Sequence, residues 1–150
     1  MAGTYTNLIY HMVFSTKERA PLLTDDVASE LYPYIGGIIR GEGGVALEIG
    51  GMADHLHLLV QLKPKPSVAD VLMKIKGNSS KWMNEQQKCS CRFGWQEGYG
   101  AFSVSESQVP VVAKYIQSQE DHHRSRGFKE EFIEFLEKHG IEYDDRYIWH

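Results

Sequence analysis

Hydrophobic and polar residues alternate with a period of two in four segments of the chain, which predicts four β-strands. Residues 7–15 carry apolar side chains on both alternating faces, as expected for a central strand covered by helices. Residues 45–49 and 55–62 predict the second and third strands, and residues 99–105 predict the fourth. Residues 50–54 between the second and third strands begin with two glycines and predict a hairpin turn or a bulge.

Apolar residues recur at helical spacing in four other segments, which predict helices. The first two span about residues 24–41 and 67–84, and each begins at a hydroxyl side chain that can cap a helix. The last two span about residues 107–122 and 128–139.

This order of elements, β-α-β-β-α-β followed by two helices, predicts an α+β fold of the ferredoxin-like or RRM-like split βαβ type. In that fold an antiparallel sheet carries helices on one face, and the C-terminal helices are added to it. A chain of 150 residues is most simply one domain, spanning residues 1–150.

The composition is that of an ordinary globular protein, with 42% hydrophobic and 24% charged residues. No apolar run reaches transmembrane length and no basic region precedes an apolar stretch at the N-terminus, so we expect a cytoplasmic protein. Cys89 and Cys91 are too close for an ordinary disulfide and are predicted to be reduced thiols. The sequence has no phosphate-binding P-loop, dinucleotide fingerprint or serine-hydrolase motif, which argues against those enzyme classes.

Positive charge is concentrated in one part of an acidic chain. The net charge is −4, but residues 61–92 contain seven basic and two acidic residues, a local excess of +5. Such a band can hold a phosphate backbone, and Lys74, Lys76 and Lys81 are the candidate DNA-binding residues. The alternative is an ordinary solvated helix face.

The third predicted strand begins with two histidines at alternate positions. His55 and His57 therefore point to the same face, while Leu56, Leu58 and Val60 face the core. Two imidazoles on one strand face form a preorganised pair of ligands for a divalent metal, which needs a third ligand. The alternative is a pair of strand histidines without a ligand role.

The third predicted helix carries Tyr115 and Gln119 four residues apart, and thus on one face. Tyr115 lies off the apolar stripe of this helix. A phenol with a pKa near ~10 is a poor nucleophile at neutral pH, but a nearby metal would help it attack phosphorus. The side-chain oxygen of Gln119 could ligate the same ion. A half-exposed tyrosine and a solvated glutamine are the alternative.

Four segments together resemble the single-tyrosine HUH transposases of the insertion-sequence 200/605 type, the IS200-like family. Residues 10–17 resemble the opening strand, and His55-Leu56-His57 resembles the HUH motif, in which U is a bulky hydrophobic residue. Residues 95–105 resemble a characteristic family segment, and residues 115–119 resemble the helix that carries the tyrosine. The four segments occur in the family's order and cover nearly the whole chain.

The resemblance implies a specific active site. His55, His57 and Gln119 would bind Mg²⁺ or Mn²⁺, and Tyr115 would be the nucleophile that forms a 5′-phosphotyrosine. The substrates would be hairpin-bearing single-stranded DNA ends of a transposon. Family members are homodimers in which the tyrosine helix can complete the partner's site, and no membrane or nucleotide cofactor is implied.

Four further interpretations remain open. A replication-initiator nuclease of the HUH class or a transposase associated with repetitive extragenic palindromes would use the same motifs. A non-catalytic RRM-like module would need exposed aromatic rings on its central strands, for which Tyr10 and Phe14 are the candidates. A metal-storage or structural protein would use only His55 and His57.

Overall fold

The computed structural model describes residues 3–119 and 127–149. It contains the four strands β1 (Leu8–Ser15), β2 (Val45–Met52), β3 (His55–Leu62) and β4 (Gly100–Val104). Its helices are α1 (Asp25–Gly41), α2 (Val68–Glu85), α3 (Val109–Gln117) and α4 (Phe128–Lys138). The helix α3 ends at Gln117, earlier than predicted, so Gln119 lies just beyond it, and residues 120–122 of the predicted helix lie outside the described residues.

The strands form one antiparallel sheet in the order β2-β3-β1-β4. This is the strand order of the split βαβ arrangement, so the predicted fold class is confirmed. In the centre of the sheet, β1 pairs with β3 such that Val13 lies opposite His57 and Ser15 opposite His55. The histidine pair is therefore placed on one of the two central strands of the sheet, both of which are largely buried.

The two faces of the sheet have separate hydrophobic cores. On one face, Met12, Phe14, Leu56 and Leu58 pack with apolar residues of α1 and α2. On the opposite face lie two smaller clusters, in which Ile116 of α3 and three residues of α4 pack on the sheet. The two C-terminal helices thus cover the face that α1 and α2 leave open. His55 and His57 point to this second face, since they alternate with Leu56 and Leu58.

Among the residues that the structure describes, none of the helices has the length and apolar character required to cross a membrane.

Strand β2 is longer than the sequence predicted. Gly50 pairs with His57 and Gly51 with Leu56, where a turn or bulge was expected. The turn is formed by Ala53 and Asp54. The irregularity in the strand pairing lies between Ala46 and Glu48. A Cβ atom at Gly50 would lie 2.7 Å from the main-chain oxygen of Ile116. The missing side chain therefore allows α3 to lie directly against β2.

We expect Gly50→Ala to destabilise the protein by roughly 1–3 kcal/mol, because the added methyl group meets the backbone of α3 and the helix must shift. The measurement is the free energy of unfolding in urea. Gly77→Ala in α2 is the matched control, since its Cβ would meet nothing within 4 Å. A Gly50→Ala protein as stable as the wild type would contradict this account of how α3 is seated.

Candidate active site

His55 and His57 lie beneath α3 and α4, and both are 0% exposed. Their ring centroids are 5.1 Å apart, and the two ring planes are inclined at 74°. The alternation along β3 brings both imidazoles to one place, as the sequence predicted. Their complete burial was not expected, and it follows from the helices packed over them.

A hydrogen-bonding partner engages the Nδ1 atom of each ring. The Asp54 carboxylate lies 2.7 Å from Nδ1 of His55, and Nε2 of His11 lies 2.8 Å from Nδ1 of His57. Burial, together with the charge of His57, lowers the pKa of His11 to about 3, so His11 is neutral at physiological pH and can accept a hydrogen bond. Both rings are thus held with Nε2 pointing into the site, the orientation that partners of metal-binding histidines usually fix.

Two side-chain oxygens meet these inward nitrogens. The Gln119 Oε1 atom lies 3.1 Å from Nε2 of His55. The Glu131 Oε1 atom lies 2.9 Å from Nε2 of His57 and 3.5 Å from Nε2 of His55. Neighbouring ligands of an octahedral ion with bonds of about 2.1 Å lie roughly 3 Å apart, so this spacing fits one shared ion.

The donor set also fits a divalent cation chemically. When His55 donates its Nδ1 proton to Asp54, its Nε2 atom presents a lone pair toward the oxygens of Gln119 and Glu131. Facing lone pairs repel one another unless a proton or a cation lies between them. One ligand atom from each of His55, His57 and Glu131 lies within 4.8 Å of the others, which makes these residues a candidate metal-binding group. Nitrogen and oxygen ligands together suit Mg²⁺ less well than Mn²⁺, which accepts both.

Tyr115 is half-buried on α3 and points to the histidines. Its hydroxyl donates a hydrogen bond to Glu131 Oε2. Its ring centroid lies 5.9 Å from that of His57 and 5.7 Å from that of Phe135. The structure therefore brings together, within one chain, the four residues that the sequence singled out: Tyr115, His55, His57 and Gln119.

An open cleft of about 560 Å³ connects solvent with this site between β4, α3 and the end of α4. Tyr115 and His11 belong to its lining, together with Phe135, Lys138 and His139. The cleft makes the half-buried Tyr115 accessible from solvent.

Sequence reasoning missed three residues of the site: Glu131, Asp54 and His11. A usable signal existed for Glu131, because it lies within the apolar stripe formed by Phe128, Phe132 and Leu136 of α4. A carboxylate on a buried helix face requires a partner, and so predicts a polar or metal site. The signal for His11 was weaker. It lies between Ile9 and Val13 on one face of β1, and this face of the sheet also bears His57.

The structure does not bring the predicted DNA-binding lysines to this site. They lie on α2, which packs on the opposite face of the sheet. Lys74 pairs with Glu42 at 2.7 Å, and Lys81 lies 3.8 Å from Glu85. The Lys76 amino group donates to two main-chain oxygens, of Glu97 and Gly98, and burial lowers its pKa to about 8. Their contact with DNA remains a prediction.

The residues 95–105 contribute mainly to the cores. Phe102 is buried beneath α4, and Trp95 is buried on the other face, where its indole donates to the Ser79 hydroxyl. Tyr99 is 40% exposed and lies near the amino group of Lys76. Of the aromatic residues Trp95, Tyr99 and Phe102, therefore, Tyr99 alone presents a ring to solvent.

A split βαβ domain in which a tyrosine faces a buried His-x-His pair defines the class of single-tyrosine HUH proteins. The comparisons with known proteins identify the family within it. The profile of the family described as "Transposase IS200 like" matches residues 4–119. The chain therefore belongs to the IS200-like transposase family.

Individual relatives agree with this assignment. The ISDra2 transposase TnpA of Deinococcus radiodurans is 31% identical over 124 residues, which cover 79% of this chain and 89% of that protein. The transposase of the insertion sequence element IS200 from Salmonella typhimurium is 28% identical over 124 residues, covering 79% of this chain and 81% of the relative.

Two solved structures are also similar. The crystal structure of a proposed transposase from Deinococcus radiodurans has a TM-score of 0.64 and 27% identity, covering 79% of this chain and 95% of that one. The structure of a REP-associated tyrosine transposase bound to a REP hairpin has a TM-score of 0.61 and 14% identity, covering 82% of this chain and 73% of that one. The second likeness concerns the fold alone.

Proposed function

We propose that this protein is a metal-dependent transposase that cleaves and rejoins single-stranded DNA at hairpin-bearing transposon ends. The observation that carries the proposal is the position of the Tyr115 hydroxyl beside the buried His55–His57 pair, in a chain of the IS200-like family. Hairpin ends and the covalent 5′-phosphotyrosine are what the family resemblance implies for this chain.

In this proposal His55, His57 and Gln119 hold Mg²⁺ or Mn²⁺, as their converging Nε2 and Oε1 atoms support. When bound, the cation polarises the scissile phosphate and neutralises the charge that develops on it. Asp54 and His11 keep the two imidazoles oriented toward it.

Tyr115 carries out the covalent step. Its phenolic oxygen attacks phosphorus and forms the tyrosine ester of the 5′-phosphate, while the bond to the 3′-oxygen breaks. The phenolic proton is transferred to that oxygen, which leaves as a 3′-hydroxyl. The ester conserves the energy of the phosphodiester, so no nucleotide cofactor is needed. A 3′-hydroxyl from another DNA end then attacks the ester, which rejoins the strands and returns the proton to Tyr115.

The family resemblance also supports a homodimer. One chain already places Tyr115 next to its own histidines, so the proposed chemistry does not depend on an exchange of tyrosine helices between subunits. The RRM-like alternative gains no support, since Phe14 is buried and Tyr10 is half-buried in the core beneath α1 and α2.

The test uses labelled single strands taken from the two flanks of the gene, incubated with the protein and Mn²⁺. We expect a covalent protein–DNA species and a released strand with a free 3′-hydroxyl, both lost when a chelator is added. Annealing the complementary strand should also suppress the reaction. Binding of the single strands without cleavage would contradict the proposal and favour a non-catalytic binding protein.

A further inference from the structure

The helix α4 lies outside the segment that matches the family, yet it completes the candidate site. The match ends at Gln119, whereas Glu131 is on α4 and is 0% exposed. Apolar contacts of Phe128, Phe132 and Leu136 with Val13 and Phe102 hold this helix on the sheet. The position of Glu131 is thus fixed by hydrophobic packing of α4, which follows the segment that matches the family.

Glu131 supplies a negative charge that the other candidate ligands lack. His55, His57 and Gln119 are all neutral when they ligate, and a divalent charge placed among neutral buried groups is costly. Oxygen Oε1 of Glu131 approaches Nε2 of both histidines, at 2.9 Å and 3.5 Å. A carboxylate at this position offsets the charge of the ion, and hard cations prefer such a ligand.

Glu131 also occupies the place that a substrate phosphate requires. Its two oxygens contact the inward nitrogens of the histidines and the hydroxyl of Tyr115, the same groups that a scissile phosphate must approach. Both histidines are 0% exposed with α4 in this position. A phosphodiester therefore cannot reach them until the carboxylate leaves.

We propose that Glu131 is a resident anionic ligand of the metal, which the scissile phosphate replaces as α4 withdraws from the sheet. The exchange substitutes one singly charged oxygen ligand for another, so the net charge around the ion is preserved. It also releases the Tyr115 hydroxyl at the moment when the phosphate arrives. The proposed exchange rests on the transposase function proposed above, whereas the ligand role of Glu131 does not.

The first test is a calorimetric titration of the DNA-free protein with Mn²⁺. We expect Glu131→Gln to raise the Kd of Mn²⁺ by about tenfold or more, because it removes the charge while keeping the shape of the side chain. Glu130→Gln is the matched control, since Glu130 is an exposed residue of the same helix turn. An unchanged Kd in a folded Glu131→Gln protein would overturn the ligand role.

The second test follows hydrogen exchange of the α4 amides in the Tyr115→Phe protein, which needs no change at Glu131. Addition of single-stranded flank DNA with Mn²⁺ should increase exchange in α4 severalfold, while exchange in α1 stays constant. Unchanged hydrogen exchange in α4 while the DNA is bound would overturn the replacement of Glu131 by the phosphate, and absence of DNA binding would contradict the function on which this replacement rests.

The two proposals fail separately. Covalent adducts with an unchanged Mn²⁺ affinity in Glu131→Gln would leave the transposase proposal standing and remove the ligand role. A weakened Mn²⁺ affinity without any adduct would support the ligand role and remove the proposed reaction.

Discussion

Tyr115→Phe is expected to abolish strand cleavage, with a loss of roughly 10⁴- to 10⁶-fold in rate, the size of effect seen when a covalent nucleophile is removed. The substitution deletes only the phenolic oxygen and keeps the ring that contacts Phe135 and His57. Binding of single-stranded DNA and of Mn²⁺ should therefore persist. Single-turnover cleavage of labelled flank DNA measures the rate, and anisotropy measures the binding.

Tyr147→Phe is the control for this substitution, since Tyr147 is 67% exposed and belongs to the C-terminal segment. It should cleave at the wild-type rate. Covalent adducts that still form in Tyr115→Phe would show that another group is the nucleophile.

His57→Ala is expected to lower the cleavage rate by at least roughly 10²- to 10³-fold, the effect of removing one group that stabilises charge in a transition state. The variant loses the Nε2 atom that faces Glu131 and the Nδ1 atom that contacts His11. We expect the Kd of Mn²⁺ to rise in parallel while DNA binding is largely retained, because the imidazole is buried away from the surface.

The control is Met73→Ala, which removes an exposed side chain of α2 on the opposite face of the sheet. Thermal unfolding of both variants separates a loss of chemistry from a loss of structure. Cleavage at the wild-type rate by a folded His57→Ala protein would exclude the ligand role of this residue.

The fold was predictable because local signals and burial agree along most of the chain. The alternating pattern predicted the bounds of β3, and the helix starts followed from Thr24 and Ser67, whose side chains accept hydrogen bonds from Val27 and Asp70. The predicted end of β2 was wrong because the glycine at position 50 was interpreted as part of a turn. Gly50 lies within the strand, and the close approach of α3 requires a residue without a side chain there.

The arrangement of the site was predictable only in part. Spacing along β3 places His55 with His57, since both lie within one strand. Gln119 lies two residues beyond the end of α3 at Gln117, and its side-chain amide donates a hydrogen bond to the main-chain oxygen of Tyr115. Which face of the sheet the C-terminal helices cover is decided by packing over long separations in sequence. The apolar contacts of α4 with the sheet bring Glu131 into the site. No short sequence motif around Glu131 shows that it lies beside the histidines.

The central claim is that Tyr115 becomes covalently joined to a 5′-phosphate of the DNA. Mass spectrometry of the digested reaction products with flank DNA and Mn²⁺ tests this most directly. We expect nucleotide mass on the peptide that contains Tyr115, linked through its phenolic oxygen. Nucleotide mass on a different residue, or cleaved DNA with no modified peptide, would contradict it.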